Sequence, residues 1–246
     1  QHSPSTGVKR DMARLLCLSL AHAGDWVSVI PSPSLGLHLR TREWIISAKY
    51  RLGCPVFTSD GLHLCGSEGE RIARHNHLRD HIFNTCVSAA LGPANGERAL
   101  ILGSDARPAD VLIPSWISGK DTVFDVTVVN PLQTQMLEPH SKAATHPHYA
   151  CDFRYGEKMT KHGEPCRLAG MVFVPLVVET LGGWEEQGEK QIRRMGAALA
   201  RQTGQDEAVK TRHLFQRLSI LLTKGNAALF LNRLPSHPGP TIDGEQ

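Results

Sequence analysis

Two aspartates stand where a carboxylate is awkward. The segments Arg107-Pro108-Ala109-Asp110-Val111-Leu112-Ile113 and Thr122-Val123-Phe124-Asp125-Val126-Thr127-Val128 each set one acid beside an apolar run. Asp125 interrupts Val123-Phe124 and Val126 through Val129. A charge in such a run is costly to bury unless it is paired or bound to a cation. If the two segments are neighbouring strands of a hairpin, both carboxylates can converge at one end of a sheet. Oxygen ligands of this kind suit Mg²⁺, which binds at about 2.0–2.1 Å, polarises a phosphodiester oxygen and lowers the pKa of a bound water. The pattern equally suits an Asp at a strand start whose hydrogen bonds are met by the protein.

The elements that would position this pair follow from periodicity. Ser67 and Glu70 form a capping box. The helix after them carries Leu78, Ile82, Cys86 and Ala89 on one face and ends at Gly92-Pro93. Arg98 to Leu102, Ala109 to Ile113 and Thr122 to Val129 then read as three short strands. Pro131 to about Lys161 is polar and predicts a loop followed by a helix. Met171 to Val178 is a Val-rich strand suited to burial on both faces. Thr180 and Gly182-Gly183 are expected to open a helix with Ile192, Met195 and Leu199 inward. A last helix from about Asp206 carries Leu214, Leu218, Leu221 and Leu222.

Upstream, Asp11 to Leu20 suits a helix, and the segment Pro31 to Gly36 breaks it. Thr41 can cap a short helix with Trp44, Ile45 and Ala48 on one side, stopping at Gly53. This part reads as a helical appendage without chemistry of its own. The expected organisation is therefore an N-terminal helical and linker region over 1–66, an α/β domain over 67–235 and a flexible tail over 236–246.

Bulk properties bound the function classes. The chain has 246 residues, 41% hydrophobic and 21% charged, ordinary values for a globular protein that call for no fibre, coiled coil or disorder. Its formal net charge of +3 is compatible with a polyanionic partner without requiring one. No apolar run reaches the roughly 20 residues that span a bilayer, so no membrane association is expected. The N-terminus lacks the shape of a signal peptide, which makes an intracellular location the default. The first residue is Gln1 rather than Met, which leaves open whether the chain is a fragment of a longer polyprotein. The six cysteines form no CxxC pair and read as free thiols, several of them buried.

Arg107-Pro108-Ala109-Asp110 followed by Asp125 resembles the R/K-P-D, spacer, D/E signature of restriction-like endonucleases of the PD-(D/E)XK superfamily. Those domains lie at the C-terminus of site-specific non-LTR retrotransposon polyproteins. Arg74-His75-Asn76 resembles the family's RHN start of the preceding helix, and the likeness runs from about Leu52 to Arg233. The resemblance implies a restriction-endonuclease-like α-β-β-β-α-β core with a mixed sheet flanked by helices. It also implies a Mg²⁺- or Mn²⁺-dependent DNA endonuclease in the nucleus, with Asp110 and Asp125 as metal ligands. Such a domain nicks target DNA to prime reverse transcription, so a reverse transcriptase or another targeting partner is implied.

Two departures matter. Ala109 separates Pro108 from Asp110, and Thr127 stands where the superfamily has its lysine. Retroelement members place that lysine later, on the next helix. Tyr155 and Lys158 suit the migrated position, with Lys161 and His162 less favoured. Lys158 would hold the attacking water or the scissile phosphate; an ordinary solvated lysine is the alternative. The family's zinc knuckle is degenerate here: Cys54, His63, Cys65 and His75 fit no common zinc spacing, and zinc is not expected. No polymerase Asp-Asp motif is present.

Arg74, Arg107, Lys120 and Lys161 lie close in sequence to the proposed site and are candidates for phosphate contacts. Lys190, Arg194 and Arg201 form a basic helix face that suits solvent as well as DNA. His140, His146, His148 and His162 cluster among thirteen histidines without a metal-binding spacing. Glu179 suits an auxiliary acid, a helix cap or an exposed position, and Trp116, Trp184 and Phe173 suit the core or an interface. The leading expectation is thus a metal-dependent endodeoxyribonuclease. Its rival is a catalytically silent, retroelement-derived module that binds nucleic acid or protein.

Overall fold

The structure is a computed structural model, and it describes residues 5–56, 68–95, 108–138 and 142–233. Its elements in chain order are α1 (Thr6–Leu18), α2 (Thr41–Leu52), α3 (Glu68–Ser88), β1 (Ala94–Asn95), β2 (Val111–Ile117) and β3 (Lys120–Val129). They continue with α4 (Thr134–Leu137), α5 (Tyr149–Lys158), a π turn (Met159–Gly163), α6 (Glu164–Leu168), β4 (Val172–Glu179), α7 (Glu186–Thr203) and α8 (Glu207–Leu231). The chain is mixed α/β: a mixed sheet in the order β1-β2-β3-β4 is flanked by helices.

The hairpin β2–β3 is antiparallel, with Val111 opposite Phe124. β3 then pairs parallel with β4, Asp125 lying beside Pro175. A parallel pair needs a crossover, and the segment containing α5 and α6 supplies it. Alternation along β3 divides the core. Phe124 and Val126 pack with Leu78 and Ile82 of α3, Ile192 of α7 and Leu218 of α8 on one face. On the other face, Val123 meets Cys166 and Phe173, and Val129 meets Ala150 and Cys151 of α5. β4 is buried along nearly all its length, as a central strand covered on both faces should be.

Several expectations need correction. The segment 98–102 lies outside the described residues, and β1 has only two residues. β2 runs on to Ile117 with a register irregularity between Ile113 and Ile117. Pro114 has no N–H to give, so it sits where the ladder is broken. α7 begins at Glu186 rather than near Gly182, because Trp184 first bridges back to Val178. Glu185 is its N-cap and accepts from the Gly188 N–H at 2.9 Å. α8 starts as expected, with Asp206 accepting from the Val209 N–H at 2.9 Å.

The N-terminal segment is no appendage. Ala13 and Cys17 of α1 and Ile46 and Tyr50 of α2 are buried in one cluster with Val177, Leu229 and Phe230. In α2 the inward face is Ile46, Ser47 and Tyr50, while Trp44 and Ile45 are exposed. Both faces are apolar, and a polar network at the end of β4 selects between them. The Tyr50 hydroxyl lies 2.9 Å from the Thr180 hydroxyl. The Asn226 amide donates to the Thr180 carbonyl at 2.7 Å, and Arg74 donates to Asn226 Oδ1 at 2.6 Å. These buried hydrogen bonds tie α2, α3, α8 and the end of β4 together.

The thiols follow the expected pattern where they are described. Cys17, Cys86, Cys151 and Cys166 are buried and free, and Cys54 is exposed and free. Cys65 lies outside the described residues.

Candidate active site

β3 carries Phe124 and Val126 into the core beneath α3, so Asp125 and Thr127 between and beyond them face the opposite side. There the C-terminal end of α5 approaches. Lys158 Nζ lies 3.1 Å from Asp125 Oδ1 and 2.9 Å from Oδ2. The Thr127 hydroxyl donates to Asp125 Oδ2 at 2.8 Å. Asp110 immediately precedes β2, and its backbone N–H donates to the Phe124 carbonyl at 2.8 Å. Continuing the register of Val111 with Phe124 sets Asp110 opposite Asp125. The hairpin thus sets the two acids opposite one another on adjacent chain segments.

Asp110 is held from two sides. Its Oδ2 accepts from the Val126 N–H at 2.7 Å, and its Oδ1 lies 3.2 Å from His75 Nε2. His75 reaches the site from α3, one turn before the buried Leu78. The hydrogen bond to Asp110 raises the His75 pKa above its ordinary value; burial opposes that rise, and the charges of Asp110 and Asp125 add to it. The site remains partly open. The side chains of Asp110 and Asp125 are each 12% exposed, His75 30% and Lys158 26%.

Lys158 is the last residue of α5, and the π turn follows at once. Such wide turns occur often at functional sites because they re-aim side chains. This one carries Lys161, exposed, and His162, half-buried with its ring centroid 5.6 Å from that of Phe173. Burial lowers the His162 pKa first, and the charges of Lys161 and Lys158 lower it further, against a smaller opposite effect of Asp125. Tyr155, the other residue suited to the lysine's role, packs toward the cluster of α1, α2 and α5 instead.

The proposed phosphate contacts fare unequally. Arg74 is corrected: it is 7% exposed and spent on Asn226, and burial pushes its pKa down to about 10. No phosphate can reach a guanidinium engaged between two helices. Arg107 lies outside the described residues, although Pro108 beside it is buried. Lys120 is exposed at the start of β3, some 16–17 Å along the strand from Asp125 by its rise per residue. Of the three that are described, Lys161 is exposed and lies three residues beyond Lys158. On the basic face of α7, Arg194 stacks on Trp116 at 4.5 Å and donates to its carbonyl, whereas Lys190 and Arg201 remain exposed.

Other expectations are redrawn by burial. Glu179 is neither exposed nor a cap: it is 1% exposed, and its Oε2 has no hydrogen-bond partner. Trp184 and Phe173 are core residues. His146 bonds Thr145, and His148 precedes α5 with φ 65°. Of the degenerate knuckle, His63 and Cys65 lie outside the described residues, Cys54 is exposed and His75 is committed to Asp110.

Two participants escaped the sequence reading. His75 was legible only as part of Arg74-His75-Asn76, since nothing local says which of three adjacent polar residues turns toward a hairpin far along the chain. Thr127 was read as an absent lysine; it is a hydrogen-bond donor to the acid two residues before it.

The donor chemistry fits a hard divalent cation in part. Two carboxylates on adjacent strands suit Mg²⁺ or Mn²⁺, which take their remaining ligands from water and phosphate. Among the described residues, no group of three or more His, Cys, Asp or Glu side chains is placed to hold a metal ion. Lys158 also covers both oxygens of Asp125, so an ion would have to share that carboxylate with the ammonium or displace it. No protein-family model matches the chain, and no curated protein matches it in sequence. Among the described residues, no helix is long and apolar enough to cross a membrane.

Proposed function

We propose that the chain is a metal-dependent DNA endonuclease domain of retrotransposon origin, built on a restriction-endonuclease-like core. One observation carries the reading: Lys158, 33 residues beyond Asp125 in sequence, places its ammonium on that carboxylate while the hairpin sets Asp110 opposite it. The order of α3, the hairpin, α5 and β4 around a mixed sheet supports the same reading. In it, Asp110 and Asp125 would hold Mg²⁺ or Mn²⁺, which would supply charge to the scissile phosphate and acidify a water. His75 and the Val126 N–H orient Asp110, while Thr127 orients Asp125. Lys158 pairs with the negative charge that builds on phosphorus oxygens during displacement, and Lys161 helps to hold the backbone. The partner is DNA, the compartment that of the target DNA, the nucleus, and delivery depends on a reverse transcriptase or another targeting protein.

A second reading is favoured by one observation: both carboxylates already have protein partners. With Lys158, Thr127, His75 and the Val126 N–H in place, the cluster is satisfied without any ion. On that reading the chain is a silent remnant that binds nucleic acid or protein.

Metal binding separates the two. Calorimetric titration of the DNA-free chain with Mn²⁺ is expected to show saturable binding that Asp110→Asn and Asp125→Asn each weaken at least tenfold. An ion bound only by the folded state also stabilises it, by about 1.4 kcal/mol at ten times its Kd. Absence of binding, or binding indifferent to both substitutions, favours the silent module.

A further inference from the structure

A nuclease site needs a group to take the proton from the attacking water. His75 is poorly placed for that, since its Nε2 is bonded to Asp110 and that bond favours the protonated ring. Lys158 is paired with Asp125 as an ammonium. The turn that follows Lys158 carries a further titratable ring. His162 lies in the π turn four residues after Lys158. Its ring centroid lies 5.6 Å from that of Phe173, which β4 pairs with Val123, two residues before Asp125 and on the same side of β3.

We propose that His162 is the proton acceptor for the attacking water, an inference that rests on the nuclease reading above. One lone pair of the water oxygen forms the new bond to phosphorus while its proton passes to the free imidazole nitrogen. The bond from phosphorus to the 3′ or 5′ oxygen breaks, that oxygen leaves with the electron pair, and solvent protonates it. The imidazolium then returns its proton to solvent, so nothing is consumed but water.

The surroundings keep the ring in its accepting form. Burial, Lys161 and Lys158 all disfavour the imidazolium, and Asp125 opposes them weakly. From β4 the contact is the uncharged Phe173, and Glu164 of α6 is taken up by Arg167 at 2.6 and 2.7 Å. A base neutral near pH 7 can act without first being deprotonated.

The test is plasmid nicking in Mg²⁺ by the wild-type chain, His162→Ala and His162→Asn, with and without added imidazole. His162→Ala is expected to lose about 10²-fold in rate, the size usual for one general base. Free imidazole should restore at least tenfold of that loss, and the restoration should follow the unprotonated form of imidazole. The wild-type rate should fall tenfold per unit as pH drops below the ordinary histidine range, and His162→Asn, which keeps a polar group against Phe173, should lose that limb. A His162→Ala chain that is folded by circular dichroism but unrescued overturns the proposal, as does a His162→Asn variant that keeps the wild-type pH profile. Those results leave the nuclease reading intact, whereas a wild-type chain that never nicks removes both.

Discussion

Lys158→Ala is expected to lower metal-dependent nicking by about 10²–10³-fold while leaving Mn²⁺ binding unchanged or tighter. The ammonium lies within 3.1 Å of both Asp125 oxygens, so it competes with a cation for that carboxylate. Removing it frees a ligand and at the same time removes a positive charge from the place where phosphoryl negative charge develops. Asp125→Asn should behave oppositely, losing binding and nicking together. Lys158→Arg is not a conservative control, because a planar guanidinium on a different stem will not occupy the same point. Single-turnover nicking beside Mn²⁺ titration of the three chains checks this. Equal loss of metal binding in Lys158→Ala would mean that the lysine merely braces the site.

The second large effect is on stability. Glu179 is buried beneath α1 and α5, and burial pushes its pKa up from the ordinary 4.5 to about 7. A bond from the Cys17 thiol lowers it somewhat, and Asp152 raises it again. The native state therefore holds this proton more firmly than the unfolded chain does. The stability so contributed is complete below about 4.5 and is lost as pH rises toward 7, so the wild-type chain weakens on alkalinisation. His81 works in the other direction, since burial lowers its pKa to about 4, and its contribution is lost as pH falls below its ordinary 6.5. The difference between wild type and Glu179→Gln isolates the carboxyl. From pH 5 to pH 8 the wild type should lose about 2–3 kcal/mol relative to the variant in denaturant unfolding. Parallel curves for the two chains would show that Glu179 is not buried as an acid.

How far these residues could be read from sequence differs, and the differences have physical causes. Asp125 was legible because a charge inside Val123 to Val129 needs a reason, and the hairpin explained Asp110 in the same step. Lys158 was legible only through resemblance and not from spacing, since it reaches Asp125 from the end of α5, 33 residues further along the chain. Local pattern failed where two answers were locally equal. α2 has two apolar faces, and the choice depends on Thr180 and Asn226, more than a hundred residues away. Arg74 reads as a surface cation until α8 closes over it, and Glu179 reads as a strand-end acid until α1 covers it. In each case burial is decided by an element distant in sequence, which short-range periodicity does not encode.

Metal-dependent phosphodiester cleavage at the Asp110 and Asp125 pair can be read out on supercoiled plasmid. The purified chain is incubated with Mg²⁺ or Mn²⁺ beside Asp125→Ala, and the nicked circular product is measured. Nicking is expected to require the metal and to disappear in Asp125→Ala. A folded, monodisperse wild-type chain that leaves the plasmid supercoiled with both metals would contradict it, and the cluster around Asp125 would then be a self-satisfied remnant of a site.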